Sequence, residues 1–143
     1  MRGARRRSRE LALQSLYQWH IGGNPAEEIA RQVAEGQGFG KADAEYYARL
    51  FHGTVAEARA LEAEIAPLLD RKLTELSPIE RAILLLGAYE LQHAPEVPFR
   101  AVISEAVELA KAYGGTDGYK YVNGVLDKLA RRLRAAECAT ERA

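Results

Sequence analysis

The 143-residue sequence predicts an all-α protein, a helical bundle made of two small sub-bundles with no β-sheet. Three observations predict it. Apolar residues recur at i, i+3, i+4 and i+7 along most of the chain. Cap and stop signals punctuate those runs. No segment alternates with period two for long enough to argue a strand. The sub-bundles are expected over about residues 5–70 and 71–136, with a seam near 70–77 and a flexible tail at 137–143.

The first helix is expected from near Arg5 to Ile21, where Gly22-Gly23 stops it, with Leu13, Leu16 and Tyr17 on its buried side. Arg2, Arg5, Arg6, Arg7 and Arg9 all precede the first acid, Glu10. Cations at a helix N-terminus oppose the dipole by about 0.3–1 kcal/mol each. The cluster therefore reads either as a solvated basic tail or as a set of phosphate contacts.

Asn24-Pro25-Ala26-Glu27 predicts a second start, with Asn24 as cap and Pro25 at the first position. Ile29 and Val33 give this short helix a narrow apolar edge before the loop Gly36-Gln37-Gly38-Phe39-Gly40. That loop lacks the order of a phosphate-binding loop and follows no strand, so it reads as a connector. From about Lys41 one long helix carries Tyr47, Leu50, Phe51, Thr54, Ala58, Leu61 and Ile65 in register until Pro67.

Ser77-Pro78-Ile79-Glu80 repeats the cap signal and opens a helix to about Gln92 that is apolar almost all round. It is the expected packing centre of the C-terminal half. After the Pro95–Pro98 turn, Phe99, Val102, Ile103, Ala106, Leu109, Ala110 and Tyr113 define another amphipathic helix. Gly114-Gly115 ends it, and Thr116 or Asp117 caps the next. There Val122, Val125, Leu126, Leu129 and Leu133 form the core stripe, with Lys120, Asn123, Asp127, Arg131 and Arg134 opposite and Tyr119 and Tyr121 on the flanks. Gly124 lies off the stripe, where a helical glycine costs about 1 kcal/mol relative to alanine. It is either tolerated or marks a close backbone approach.

Composition narrows the function. Twenty basic and twenty acidic residues balance to a formal charge of zero, so any nucleic-acid site must be a local patch. The single cysteine, Cys138, excludes an intrachain disulfide and suits a reducing compartment. No apolar run approaches the length of a membrane span and no signal-type core follows the arginines, so a soluble, cytoplasmic protein is expected. His20, His52 and His93 fall on different helices with no second ligand at metal spacing, and Cys138 has no partner base. The expectation is no enzyme, no metal and no cofactor.

Recognition remains. Arginines suit phosphates, Tyr119, Tyr121, Tyr17 or Trp19 offer rings for unstacked bases, and Asn123 offers an amide for a base edge. This combination favours single-stranded RNA. A helical protein-interaction module with no RNA role is the alternative.

Residues 4–10, Ala-Arg-Arg-Arg-Ser-Arg-Glu, followed by Ala-Leu-Gln-Ser-Leu-Tyr-Gln-Trp at 12–19, resemble the N-terminal signature of the NusB antitermination family. Val102 to Ala110, followed by Lys-Tyr-Val-Asn-Gly-Val-Leu-Asp-Lys at 120–128, resembles its C-terminal signature, and Pro78 to Leu91 also matches. The resemblance implies a two-subdomain helical protein that pairs with NusE, a ribosomal protein of the small subunit. It implies binding to the single-stranded boxA element, notably on ribosomal RNA operons, and assembly of an RNA polymerase antitermination complex. Carried over by motif, Arg5, Arg6, Arg7 and Arg9 fall in an RNA-binding arm. Asp117, Lys120, Tyr121 and Asn123 fall in a second RNA-facing segment, with Tyr121 where phenylalanine is common. Tyr17 and Glu80 match positions near the partner surface. Whether the free protein is a monomer or a homodimer stays open.

Overall fold

A computed structural model describes residues 2–142 and the side chains of residues 3–140. The described residues form eight α-helices and no strand. They are α1 (Arg2–Gly22), α2 (Ala26–Glu35), α3 (Ala44–Ala56), α4 (Ala58–Ile65), α5 (Pro78–His93), α6 (Phe99–Tyr113), α7 (Gly118–Leu133) and α8 (Ala135–Arg142). The chain divides into two compact units, Met1–Glu57 and Ala58–Ala143.

In the first unit α1 packs along α3 and α2. Leu13, Leu16, Ile29, Leu50 and Phe51 are fully buried. Two serines also lie inside. Ser8 donates to the Asp43 carbonyl at 2.7 Å and accepts from the Asp43 amide at 3.0 Å, which ties the start of α3 to α1. Ser15 sits 2.8 Å from the Leu11 carbonyl and 2.7 Å from the Tyr47 hydroxyl, so both buried hydroxyls are satisfied. The Asp43 carboxylate caps α3 by accepting from the Tyr46 amide at 3.0 Å. Gly23, at φ +70°, turns the chain out of α1 in a left-handed conformation that glycine adopts without strain.

In the second unit α4, α6 and α7 pack around α5, whose residues Ala82 to Leu91 are all buried. Ser77 caps α5 by accepting from the Glu80 amide at 3.1 Å, with Pro78 at the first position as expected. The tightest approach lies at Gly87. A Cβ there would come within 2.8 Å of a Leu126 methyl, so α5 and α7 meet with the Leu126 side chain lying against the bare backbone of Gly87.

Several expectations change. Tyr17 is 38 % exposed, because α1 turns Ser8, Leu11, Ala12, Ser15 and Leu16 inward instead. Asn24 does not cap α2; Pro25 stands in the cap position, and its carbonyl accepts from the Glu28 and Ile29 amides. The long helix expected from Lys41 is two helices broken at Glu57 (φ −102°, ψ 9°), and α4 turns Leu61 and Ile65 into the second unit. The division between units therefore falls at 57/58, not 70/71.

Of the stretch expected as a flexible tail, residues 137–142 lie in α8, and residue 143 falls outside the described residues. Cys138 is buried, with its thiol 3.6 Å from the Ala130 carbonyl. Arg134, expected on the solvent side of α7, ends that helix and turns inward. Its guanidinium donates to the carbonyls of Leu91 (2.8 Å), Val97 (2.8 Å), Ala94 (3.0 Å) and Glu90 (3.1 Å), and to Glu137 at 2.7 Å.

Candidate nucleic-acid interface

The arginines of α1 do not form a uniform arm. Arg6 is exposed, Arg5 and Arg7 are half-buried, and Arg9 is only 6 % exposed. The buried ring of Tyr46 organises them. The Arg5 guanidinium lies 4.2 Å from its centroid, Arg9 5.4 Å and Arg49 5.8 Å. Cations over an aromatic face are held by its quadrupole. Asp43 stands 3.9 Å from Arg5 and tempers the local charge. Arg7 pairs with Glu10 at 3.1 Å and lies against Gly38, which has φ +89° and no room for a Cβ beside that guanidinium. The glycine-rich connector thus seats an arginine, a role its sequence did not reveal.

In the second unit the turn into α7 is shaped by Glu80. Its carboxylate faces Gly115 and occupies the space where a Cβ on Gly118 would stand, so a side chain at that position would displace Glu80 from the turn. Asp117 occupies the cap position without a side-chain cap bond and instead pairs with Lys120 at 3.6 Å. Lys120 and Asn123 are exposed, and the Asn123 amide has no hydrogen-bond partner among the described residues.

The two tyrosines that flank α7 differ. The Tyr121 hydroxyl donates to the Asp70 carboxylate at 3.0 Å, and the Arg71 guanidinium covers its ring at 4.4 Å from the centroid. Hydrogen bonds from Arg71 and then Tyr121 hold the Asp70 carboxyl below its usual range, while burial and then the Asp70 bond push the Tyr121 phenol up. Tyr119 is half-buried with two lysine ammonium groups near its ring, Lys111 at 5.1 Å and Lys120 at 6.0 Å from the centroid. Its ring, together with Lys120 and Asn123, lines a cavity of about 460 Å³ between α6 and α7.

The structure thus gathers Asp117, Lys120 and Asn123 at the start of α7 and directs Tyr121 to the Asp70-Arg71 segment. Gly124, which the sequence left between tolerance and close contact, faces open space. Sequence reasoning missed Tyr46, Arg49 and Arg71. A tyrosine three residues before an arginine on α3 was the available signal for the first pair; Arg71 gave none.

Among the described residues no group of His, Cys, Asp and Glu is placed to hold a metal ion. None of their helices is long and apolar enough to cross a membrane.

The sequence profile of the NusB family matches residues 6–131. A transcription antitermination protein NusB of Nitrosospira multiformis is 64 % identical over 129 residues, covering 90 % of this chain and 82 % of its own length. That of Paraburkholderia phymatum is 57 % identical over 137 residues, 96 % of this chain and 94 % of its own. Among solved structures, NusB and NusE in complex with double-stranded RNA gives a TM-score of 0.84 at 28 % identity, covering 92 % of this chain and 99 % of that one.

Proposed function

Since the chain belongs to the NusB family, we propose that it is a transcription antitermination factor working with NusE on single-stranded boxA RNA. Nascent transcripts of ribosomal RNA operons are the expected targets, and an antitermination complex on RNA polymerase, in the cytoplasm, is the expected product. The observation that carries this reading is the polar opening of α7. Lys120 and Asn123 stand exposed where the family signature falls, on a helix whose other face is fully committed to the core.

In this reading Arg5 and Arg6 meet phosphates, the Tyr46 ring holds the Arg5 guanidinium in place, Arg9 adds positive charge beside them, and Arg7 shapes the neighbouring loop. Lys120 adds a further phosphate contact, Asn123 a base-edge contact, and Asp117 moderates the local charge. Tyr121 braces the Asp70-Arg71 segment beside the RNA path. Tyr17, exposed on α1, and Glu80, beside the turn into α7, are assigned to the partner surface. RNA bound by a solved relative supports the ligand class, although that RNA is double-stranded.

The test is a fluorescence anisotropy titration of labelled boxA-like, scrambled and duplex RNAs, with and without NusE. Binding that prefers the single-stranded boxA-like RNA and tightens with NusE is expected. Equal affinity for all three RNAs, or none with NusE present, would refute the reading and favour a protein-interaction role.

A further inference from the structure

We propose that the cavity between α6 and α7 is a nucleotide pocket that receives one unstacked base of single-stranded RNA. This rests on the RNA reading above and extends it to a site built largely from α6, which carries none of the predicted RNA-binding residues. About 460 Å³ is within the range of small-ligand clefts, roughly 300–1,000 Å³. Ile103 and Val107 supply an apolar floor, and Tyr119 supplies a ring. Asn123, with an unengaged amide, can both donate to and accept from a base edge.

The rim is cationic. Arg100, Lys111 and Lys120 line the cavity against one acid, Asp127, which is engaged with Arg131 at 3.0 Å. Lys111 and Lys120 reach their own acids, Glu108 and Asp117, only at 3.8 and 3.6 Å and are exposed, so phosphates can draw them away. A ring for the base face, an amide for its edge and cations for its flanking phosphates are the three parts that single-stranded RNA recognition uses. An acidic peptide would use the cations and the floor but would leave the amide and the ring without a function. The contrast with Tyr121 supports the assignment, since that ring is covered at 4.4 Å by an Arg71 fixed to Asp70, while Tyr119 lines the cavity under the exposed Lys111 ammonium at 5.1 Å.

The experiment uses the full chain with NusE and a labelled boxA-like RNA, comparing wild type with Tyr119→Ala, Tyr119→Phe and Asn123→Ala. Thermal midpoints provide the folding control. Tyr119→Ala is expected to weaken binding about tenfold, with Tyr119→Phe close to wild type because stacking needs only the ring. RNA carrying 4-thiouridine should cross-link to residues 103–111 or 119–123. If Tyr119→Ala binds like wild type while alanine at Arg5 and Arg6 weakens binding, the pocket is refuted and the RNA function survives. If wild type binds no RNA, both fall. Poly-glutamate shifting the NMR signals of Tyr119 and Asn123, when RNA does not, would overturn the pocket in favour of an acidic protein partner.

Discussion

The two ends of α7 use cations in opposite ways. At the C-terminal end Arg134 is buried and makes five hydrogen bonds, four of them to main-chain carbonyls at the end of α5 and in the turn that follows. The Glu90 and Ala94 carbonyls also accept from the Ala94 and Val97 amides, at 3.0 Å each, while Leu91 lies in the last turn of α5, at the negative end of its dipole, where the helix leaves acceptors unpaired. Glu137 completes the arrangement by accepting from the Phe99 amide at 2.8 Å at the start of α6. At the N-terminal end Lys120 has one exposed acid partner, and Asn123 has none among the described residues. A cation is drawn inside the fold where buried main-chain acceptors lie within its reach, and stays exposed where they do not.

The largest effect expected from breaking this contrast is on stability. Arg134→Met should cost about 3 kcal/mol, because it takes the guanidinium donors from the buried Leu91 and Val97 carbonyls and leaves the Glu137 carboxylate with the Phe99 amide alone. That corresponds to a fall of roughly 10 °C in melting temperature for a chain of this size. Arg134→Lys should recover only part of it, since an ammonium cannot reproduce the planar fork. The RNA affinity of the remaining folded protein should be unchanged. A melting temperature within about 2 °C of wild type would show that the buried guanidinium is dispensable.

Next in size is the arginine face of α1. Alanine at Arg5, Arg6 and Arg7 together should weaken RNA binding and flatten its salt dependence, by about 0.7 in slope for each single-strand phosphate that is no longer neutralised. An unchanged slope would return these residues to solvent. A smaller effect is expected from Asp117→Asn. Its side chain makes no cap bond, so stability should shift by less than about 0.5 kcal/mol. Affinity should rise a few-fold as a negative charge leaves the side of Lys120, and a loss of affinity at low salt would contradict this.

The smallest effect is the pH response of Glu137. Burial alone would raise its pKa, but the Phe99 amide and the Arg134 guanidinium outweigh it and hold the carboxyl below its ordinary value of 4.5. A depressed folded-state pKa contributes stability above the unfolded value, and that contribution is lost as pH falls through the folded one. The melting temperatures of wild type and Glu137→Gln should therefore differ at neutral pH and converge as pH drops below 4.5. A gap that persists at low pH would assign the difference to packing.

Much of the fold was legible because it rests on local rules. The Ser77-Pro78 start, the α7 stripe and the apolar circumference of α5 follow from spacing and capping alone. What escaped depends on where helices stop and how closely they meet. A helical wheel continued through Arg134 puts it in solvent, but α7 ends at Leu133 and the next residue leaves the wheel. Nothing in the sequence marked Ser8 and Ser15 as core, yet both are fully buried with their hydroxyls satisfied. Gly124 drew attention as the glycine out of place, while Gly87 is the one at a helix crossing, hidden in an apolar run. At the candidate site the residue types were legible but not their engagement, since nothing in the sequence brings Asp70 and Arg71 onto Tyr121.

The most direct measurement compares two single charge removals on α7, Lys120→Gln and Arg132→Gln, by the salt dependence of boxA-like RNA affinity in the presence of NusE. Both side chains are exposed cations with weak acid partners, Lys120 to Asp117 and Arg132 to Glu64 at 3.9 Å. Lys120→Gln should lower the slope by about 0.7, the value of one neutralised single-strand phosphate, and Arg132→Gln should leave it unchanged. Equal slopes for the two variants would contradict the assignment of the N-terminal end of α7 to the ligand.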